Sequence, residues 1–330
     1  MHKTNTLALV LLTAGVTACG GGGGGAGGGL SGGSSGSSGT SSSAVSRLDG
    51  ANASLVLDVV SQNFTGDRQN QNLQAQSGGS VTLILNTDSS GKPSSVNLIA
   101  SGLPGLPSGY GQTFSNFSSV PLAGLTGNSL KTTIVDTAAQ KAHVFEMTDP
   151  VSTGFAYTTL GHWQYFDNAA NTNVGGWFVA GKQSAQTLPS TGTASYSGIA
   201  GGTYSAGGET FAVNAAANAN VDFGNRSVVF ATTGSQSAKV VNNQLQNFAG
   251  DNSLNLSGSL QIQSGTNGFA GTLTSAGSGS AASQMSGSAS GKFFGNASPA
   301  KASGPAEMGG TFFLKNGAND RQMGGGFILK

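Results

Sequence analysis

The chain has 330 residues, of which 37% are hydrophobic and only 8% charged, and it contains 55 glycines. So little charge excludes a charge-driven disordered chain, and abundant Gly, Ser, Thr and Asn with scattered Val, Phe and Leu points to short strands joined by many turns. The net charge is +1 and the fourteen basic residues form no stripe, which argues against a nucleic-acid partner.

The chain opens with a signal peptide, residues 1–18. Lys3 supplies a positive start, and Leu7 to Leu12 form an apolar stretch too short to span a bilayer. The stretch ends in Val16-Thr17-Ala18-Cys19, small residues directly before the single cysteine. One cysteine permits neither an internal disulfide nor a multi-cysteine metal site. The pattern resembles the bacterial lipobox, which implies cleavage before Cys19 and lipidation of its sulfur and new amine. Several acyl chains anchor stably where one does not. Gly20 after the cysteine implies the outer membrane by general sorting rules.

Residues 19–46 then read as the lipidated cysteine and a Gly/Ser tether. Such a stretch cannot bury enough apolar surface to offset its ordering entropy, and random-coil scaling gives it a reach of about 25–30 Å. Two matches to G-x-S-x-G, around Ser31 and Ser34, follow from composition alone, since no strand–turn–helix pattern surrounds them.

From 47 onward no convincing amphipathic helix is found, and apolar residues alternate in short runs divided by Gly, Asn, Asp and Ser. The fold class is all-β. Residues 47–187 form a β-rich N-terminal domain with strands expected at 55–60, 81–86, 96–101, 130–136, 142–148, 155–166 and 174–181. An irregular loop is expected at 101–121, which carries Pro104 and Pro107. The boundary falls at Leu188-Pro189-Ser190. Residues 188–330 carry eight candidate strands, 192–200, 210–222, 226–234, 252–263, 268–275, 284–295, 308–315 and 323–330. Eight antiparallel strands can close into a barrel filled by side chains, and closure removes exposed edges. The last strand, with Phe327-Ile328-Leu329, would pair back on the first. A membrane-spanning barrel would need an outward apolar band and aromatic girdles, and these strands are rich in Ser, Thr, Asn and Gly instead.

In the barrel, three segments carry a resemblance. They are Gly192 to Gly201 (GTASYSGIAG), Val221 to Val228 (VDFGNRSV), and Gly291-Lys292-Phe293-Phe294-Gly295 followed by Ala306-Glu307-Met308-Gly309-Gly310-Thr311-Phe312. Together they resemble the barrel of the transferrin-binding-protein-like lipoproteins. That family includes the transferrin binders, factor H-binding protein and haem- or haemoglobin-binding relatives such as hemophilin. The resemblance implies an N-terminal handle domain followed by an eight-stranded barrel, and it covers 188–330 directly. This chain holds one handle–barrel unit where transferrin binders hold two, and 296–305 interrupts a junction that is tight in the family. The signature residues read as structural, with Phe294 and Phe312 expected to fill the barrel.

No catalytic constellation is legible, and the chain is read as a non-enzyme. After cleavage only His143 and His162 remain as imidazoles, and no H-E-x-x-H is present. Gly176 to Lys182 nearly matches a phosphate loop, but Gln183 stands where Ser or Thr is required. The densest aromatic segment is Gly161 to Asp167, followed by Trp177-Phe178. His162, Trp163, Tyr165, Trp177 and Phe178 are the candidate ligand-binding residues. Alternation puts His162, Gln164 and Phe166 on one face and Trp163 and Tyr165 on the other. One face is expected to line the core and the other to be exposed or ligand-facing. No resident cofactor or metal is expected. Haem is an alternative, with His143 or His162 as axial ligand.

The function these features imply is an outer-membrane, surface-exposed lipoprotein that binds a protein or haem-type ligand without catalysis. It could hand that ligand to an outer-membrane transporter. The alternative is a structural or adhesive surface lipoprotein with no soluble ligand.

Overall fold

The computed structural model describes residues 45–66, 74–76, 78–122, 126–184, 187–241, 244–277 and 283–330. The signal peptide, Cys19, nearly all of the expected tether and both G-x-S-x-G matches lie outside these residues. Within them the chain is all-β and builds two antiparallel sheets.

The N-terminal lobe comprises β1 (Ser54–Gly66), β2 (Gln74–Gln76), β3 (Ser80–Thr87), β4 (Pro93–Ser101), β5 (Gly111–Ser115), β6 (Ser118–Pro121), β7 (Asn128–Asp136), β8 (Lys141–Thr148), a one-turn helix α1 (Pro150–Thr153), β9 (Thr158–Asp167) and β10 (Thr172–Gly181). The strand order is β5-β4-β3-β1-β10-β9-β8-β7-β6, with β2 beside β1. The two edge strands β5 and β6 follow each other through Asn116 and Phe117, so the sheet curls until its edges approach. Phe114 stacks on Phe145 across this interior with ring centroids 5.0 Å apart, and Phe117 lies 6.2 Å from the same ring. The loop expected at 101–121 is therefore only partly irregular. Pro104 and Pro107 lie in the turn 102–110, and β5 and β6 follow. Where 155–166 was expected as one strand, Pro150 at the start of α1 and the left-handed Gly154 after it delay β9 to Thr158.

The C-terminal lobe comprises β11 (Thr193–Ala206), β12 (Glu209–Asp222), β13 (Ser227–Val241), the short β14 (Gln244–Leu245) and β15 (Ala249–Gly250), β16 (Leu256–Ile262), β17 (Gly268–Ser275), β18 (Ser286–Ala297), β19 (Pro305–Lys315) and β20 (Arg321–Leu329). Pairing runs β12-β11-β20-β19-β18-β17-β16-β13, and β12 also pairs β13, which closes an eight-stranded barrel. The closing strands meet as expected, Gly198 opposite Leu329 through to Ala206 opposite Arg321. Alternation explains the fill. Ala217, Ala219 and Val221 of β12 point inward, whereas Asn218 and Asn220 are exposed. Rings of Phe230 and Phe327 lie 4.3 Å apart, and Phe269 meets Phe293 edge-on at 5.3 Å, so the lumen is packed with aromatic side chains. Outward positions such as Ser195, Ser197, Asn218, Asn220, Ser257 and Ser259 are exposed and polar. That is the reverse of a lipid-facing band.

Phe294 departs from expectation. Phe312 lies in the barrel core, but Phe293 takes the inward place that Phe294 was expected to share. Adjacent strand residues face opposite ways, so Phe294 points outward into the seam between the lobes. After it the β18–β19 register slips between Phe294 and Ala297, and a 3-10 turn at Pro299–Lys301 carries the extra residues of 296–305.

The seam is a mixed interface. Phe64, Leu122, Phe155, Leu160, Trp177 and Val179 of the N-terminal lobe pack with Phe294 and Ile328 of the barrel. At its centre, Glu307 of β19 is 3% exposed. Its carboxylate accepts hydrogen bonds from the Ala156 amide (2.7 Å), the Tyr157 amide (3.0 Å) and the Thr158 hydroxyl (2.8 Å). Burial pushes this carboxyl above the usual range, against the opposing pull of those donors. The C-terminal Lys330 adds bonds from its ammonium to the Thr153 and Gly154 carbonyls, both at 3.1 Å. The described chain enters at the same seam, where the Val45 amide donates to Asn296 Oδ1 at 2.8 Å. The expected boundary at 188–190 falls in the connection between Gly181 and Thr193.

Candidate functional site

The antiparallel register arranges the interior face of the N-terminal lobe in rows. Lys141 opposes Asp167, His143 opposes Tyr165, and Phe145 opposes Trp163, with Gly176 and Asn63 continuing the third row. From the end carrying the 137–140 and 168–171 turns inward, the rows grade from charged, through phenol and imidazole, to apolar. This end lies far from the seam entry at Val45, because β1 runs toward it and β10 runs back.

The turn 102–110 caps this mouth and inserts Tyr110. Its hydroxyl lies 2.9 Å from His143 Nδ1. Its ring stacks on His143 and Trp163 with centroids 5.8 and 5.9 Å apart, and meets Tyr165 edge-on at 5.5 Å. Tyr165 donates to Asp167 Oδ2 at 3.2 Å. Asp167 stands 4.0 Å from the Lys141 ammonium. Burial, with Asp167 nearby, pushes the Tyr165 phenol up to about 12. Burial also raises Tyr110 and lowers His143, so the imidazole is neutral near pH 7. Asp167 is held low, chiefly by the Ala170 amide.

Three buried polar atoms in these rows have no hydrogen-bond partner: Trp163 Nε1, Asn63 Oδ1 and Thr172 Oγ1. Trp163 and Asn63 flank Gly176, and Asn63 Oδ1 leans over the glycine, where an added Cβ would meet it at 2.5 Å, so an indole donor and an amide acceptor share one row. Buried groups of this kind are normally satisfied. A water or a ligand group bearing both an acceptor and a donor would complete them.

The expected site residues divide between two faces. Trp163 and Tyr165 belong to the mouth, and Phe178 lies deeper on the same face, 5.5 Å from Phe145. His162 and Trp177 occupy the opposite face, toward the seam, with rings 5.4 Å apart. All five are buried, as are Gln164 and Phe166. Neither face of β9 is therefore presented to solvent, so of the two alternatives expected for its second face, exposed or ligand-facing, simple exposure does not hold. Of the two imidazoles, His162 is fully buried and His143 is half-buried. Sequence reasoning missed Tyr110 and Asn63, which reach the site through register and a capping turn. Among the described residues no group of three or more His, Cys, Asp or Glu side chains gathers as a metal site would require.

No family model and no curated protein sequence matches the chain. Among solved structures, a tryptophan-to-alanine mutant of the vaccine antigen transferrin binding protein B from Haemophilus parasuis Hp5 is similar, with 13% identity and a TM-score of 0.40 over 82% of this chain and 63% of that one. A double mutant of the same antigen gives 14% identity, a TM-score of 0.41 and the same coverage. Intact Ap-TbpB, with N and C lobes, gives 13% identity and a TM-score of 0.39 over 88% of this chain and 79% of that one. The chain thus spans less than two thirds of the length of the first two structures to which it is similar.

Proposed function

We propose that the protein is a lipid-anchored, surface-exposed outer-membrane lipoprotein that binds a ligand without catalysis, using the capped mouth of its N-terminal lobe. The observation that carries this reading is the row Trp163–Gly176–Asn63, where buried donor and acceptor stand unbonded beneath the Tyr110–His143 pair. Aromatic faces with a few orienting polar groups are the usual lining of a ligand site. A lipid on Cys19 would hold the Val45 end toward the membrane and turn this mouth, with the neighbouring loops of both lobes, outward. The ligand class is a protein segment or a haem-type nutrient, and an outer-membrane transporter would receive it. For haem, His143 is the accessible imidazole.

The test uses immobilised mature protein offered serum proteins, haemoglobin and haemin, with tryptophan emission followed during haemin titration. The reading expects saturable retention of one of them, abolished by Tyr110→Phe combined with His143→Ala while the melting transition survives. Retention of none would sink it and favour an adhesive or structural surface protein. Retention unchanged in the double variant would move the site elsewhere.

A further inference from the structure

We propose that a second site, the groove between the two lobes, binds a carboxylated sugar. Two hollows of about 500 Å³ and about 330 Å³ share Gln183, Thr266 and Asn267, a size suited to a small ligand. One wall is Val59 and Val60 of β1. The other is the outer surface of β18, with Ser290 and Lys292, and the β16–β17 turn with Gln263.

The groove is rigidly framed. Asn267 Nδ2 donates to the Ser184 carbonyl at 2.6 Å, and the Asn267 carbonyl accepts from the Phe293 amide at 2.9 Å. The Gln183 amide donates to Asp58 Oδ2 at 3.1 Å, which turns that carboxylate into the frame. No Asp or Glu lines either hollow, whereas Lys292 lines one and Arg226 the other. Lys292 takes part in none of the ion pairs among the described residues. Arg226 sits in the β12–β13 turn with φ of 53°. Its Nε and Nη2 are spent on the Ile262 and Gln263 carbonyls at 3.2 and 2.5 Å, which fixes the guanidinium and leaves Nη1 for a ligand.

The chemistry follows from this inventory. Side-chain amides and hydroxyls both donate and accept, which matches the hydroxyls of a sugar ring. The Lys292 ammonium in one hollow and the preset Arg226 guanidinium in the other, with no acid lining either, each match a carboxylate.

The experiment is calorimetry and ligand-observed saturation-transfer NMR on the full mature chain, with galacturonate, galactose, acetate and triglutamate as probes. Galacturonate should bind saturably, and galactose and acetate should each be at least about tenfold weaker. Lys292→Gln should weaken galacturonate about tenfold with an unchanged melting temperature, since that ammonium supports nothing in the fold. Tyr110→Phe with His143→Ala should leave galacturonate binding intact, which separates this site from the capped mouth. No saturable galacturonate binding, equal affinity in Lys292→Gln, or tighter binding of triglutamate would each overturn the proposal.

Discussion

Removing the Glu307 carboxylate should loosen the two lobes measurably. Glu307→Ala strands the Ala156 and Tyr157 amides and the Thr158 hydroxyl, and each orphaned buried group costs about 1–3 kcal/mol. The gross loss is offset in two ways. The variant no longer buries a carboxylate, whose desolvation already raises its pKa, and Tyr157 is only half-buried, so water can reach that amide. A net loss of about 2–4 kcal/mol follows. Glu307→Gln keeps the volume and one acceptor and should cost about 1–2 kcal/mol. The pH dependence has a definite sign. A carboxyl whose folded pKa is raised stabilises fully below its unfolded value of 4.5 and loses that contribution as pH rises through the folded value. The deficit of Glu307→Gln should therefore be larger at about pH 4.5 than at about pH 7.5. Guanidinium unfolding at both pH values, with proteolysis of the connection 182–192 as a probe of lobe separation, measures this. An Ala variant within about 0.5 kcal/mol of the parent, or a Gln deficit that widens with pH, would refute the reasoning.

His143 has a lowered pKa, so it contributes stability above its unfolded value of 6.5 that is lost as pH falls through the folded value. His143→Gln should flatten the drop in melting temperature on the acid side of neutrality, and an unaltered pH profile would contradict the assigned burial. Gly287→Ala would drive a methyl into the Phe313 carbonyl and the Leu314 backbone. A loss of about 2 kcal/mol or more is expected by thermal unfolding, and a loss under about 0.5 kcal/mol would contradict the tight β18–β19 approach. Cys19→Ser should abolish palmitate labelling and shift the protein from the membrane fraction to the soluble one, and continued labelling would refute lipidation at that position.

The barrel was legible because its strands alternate cleanly, as in Ala217-Asn218-Ala219-Asn220-Val221, and because most of its turns carry glycine or asparagine. Strand extents were less so. β11 runs through Gly201-Gly202 to Ala206, past the expected end at 200, because a glycine pair reads as a turn until its partners Gly325-Gly326 are known. In the N-terminal lobe, β5 and β6 hid behind two prolines, and the three-residue β2 has no pattern to read. The site was legible only in part. The aromatic density of Gly161 to Asp167 drew attention to Trp163 and Tyr165, but burial of the second face of β9 depends on the seam, which no local pattern encodes. Tyr110 sits 33 residues from His143, and nothing in either segment announces the other. Glu307 looked like one more member of a structural signature. Its role is long-range, toward a turn 149–151 residues earlier.

The placement of β1 has a mechanical consequence. It is the first strand after Val45 and runs from the seam toward the capped mouth, paired to β10 from Asp58 opposite Gly181 to Gly66 opposite Asn173. If the leash is fixed in lipid and a captured partner drags on the far end, tension runs along this strand instead of across it. The rungs of that ladder are then loaded together in shear and do not peel one at a time. A molecule anchored this way would spread the pull of flow over all nine paired positions of that ladder.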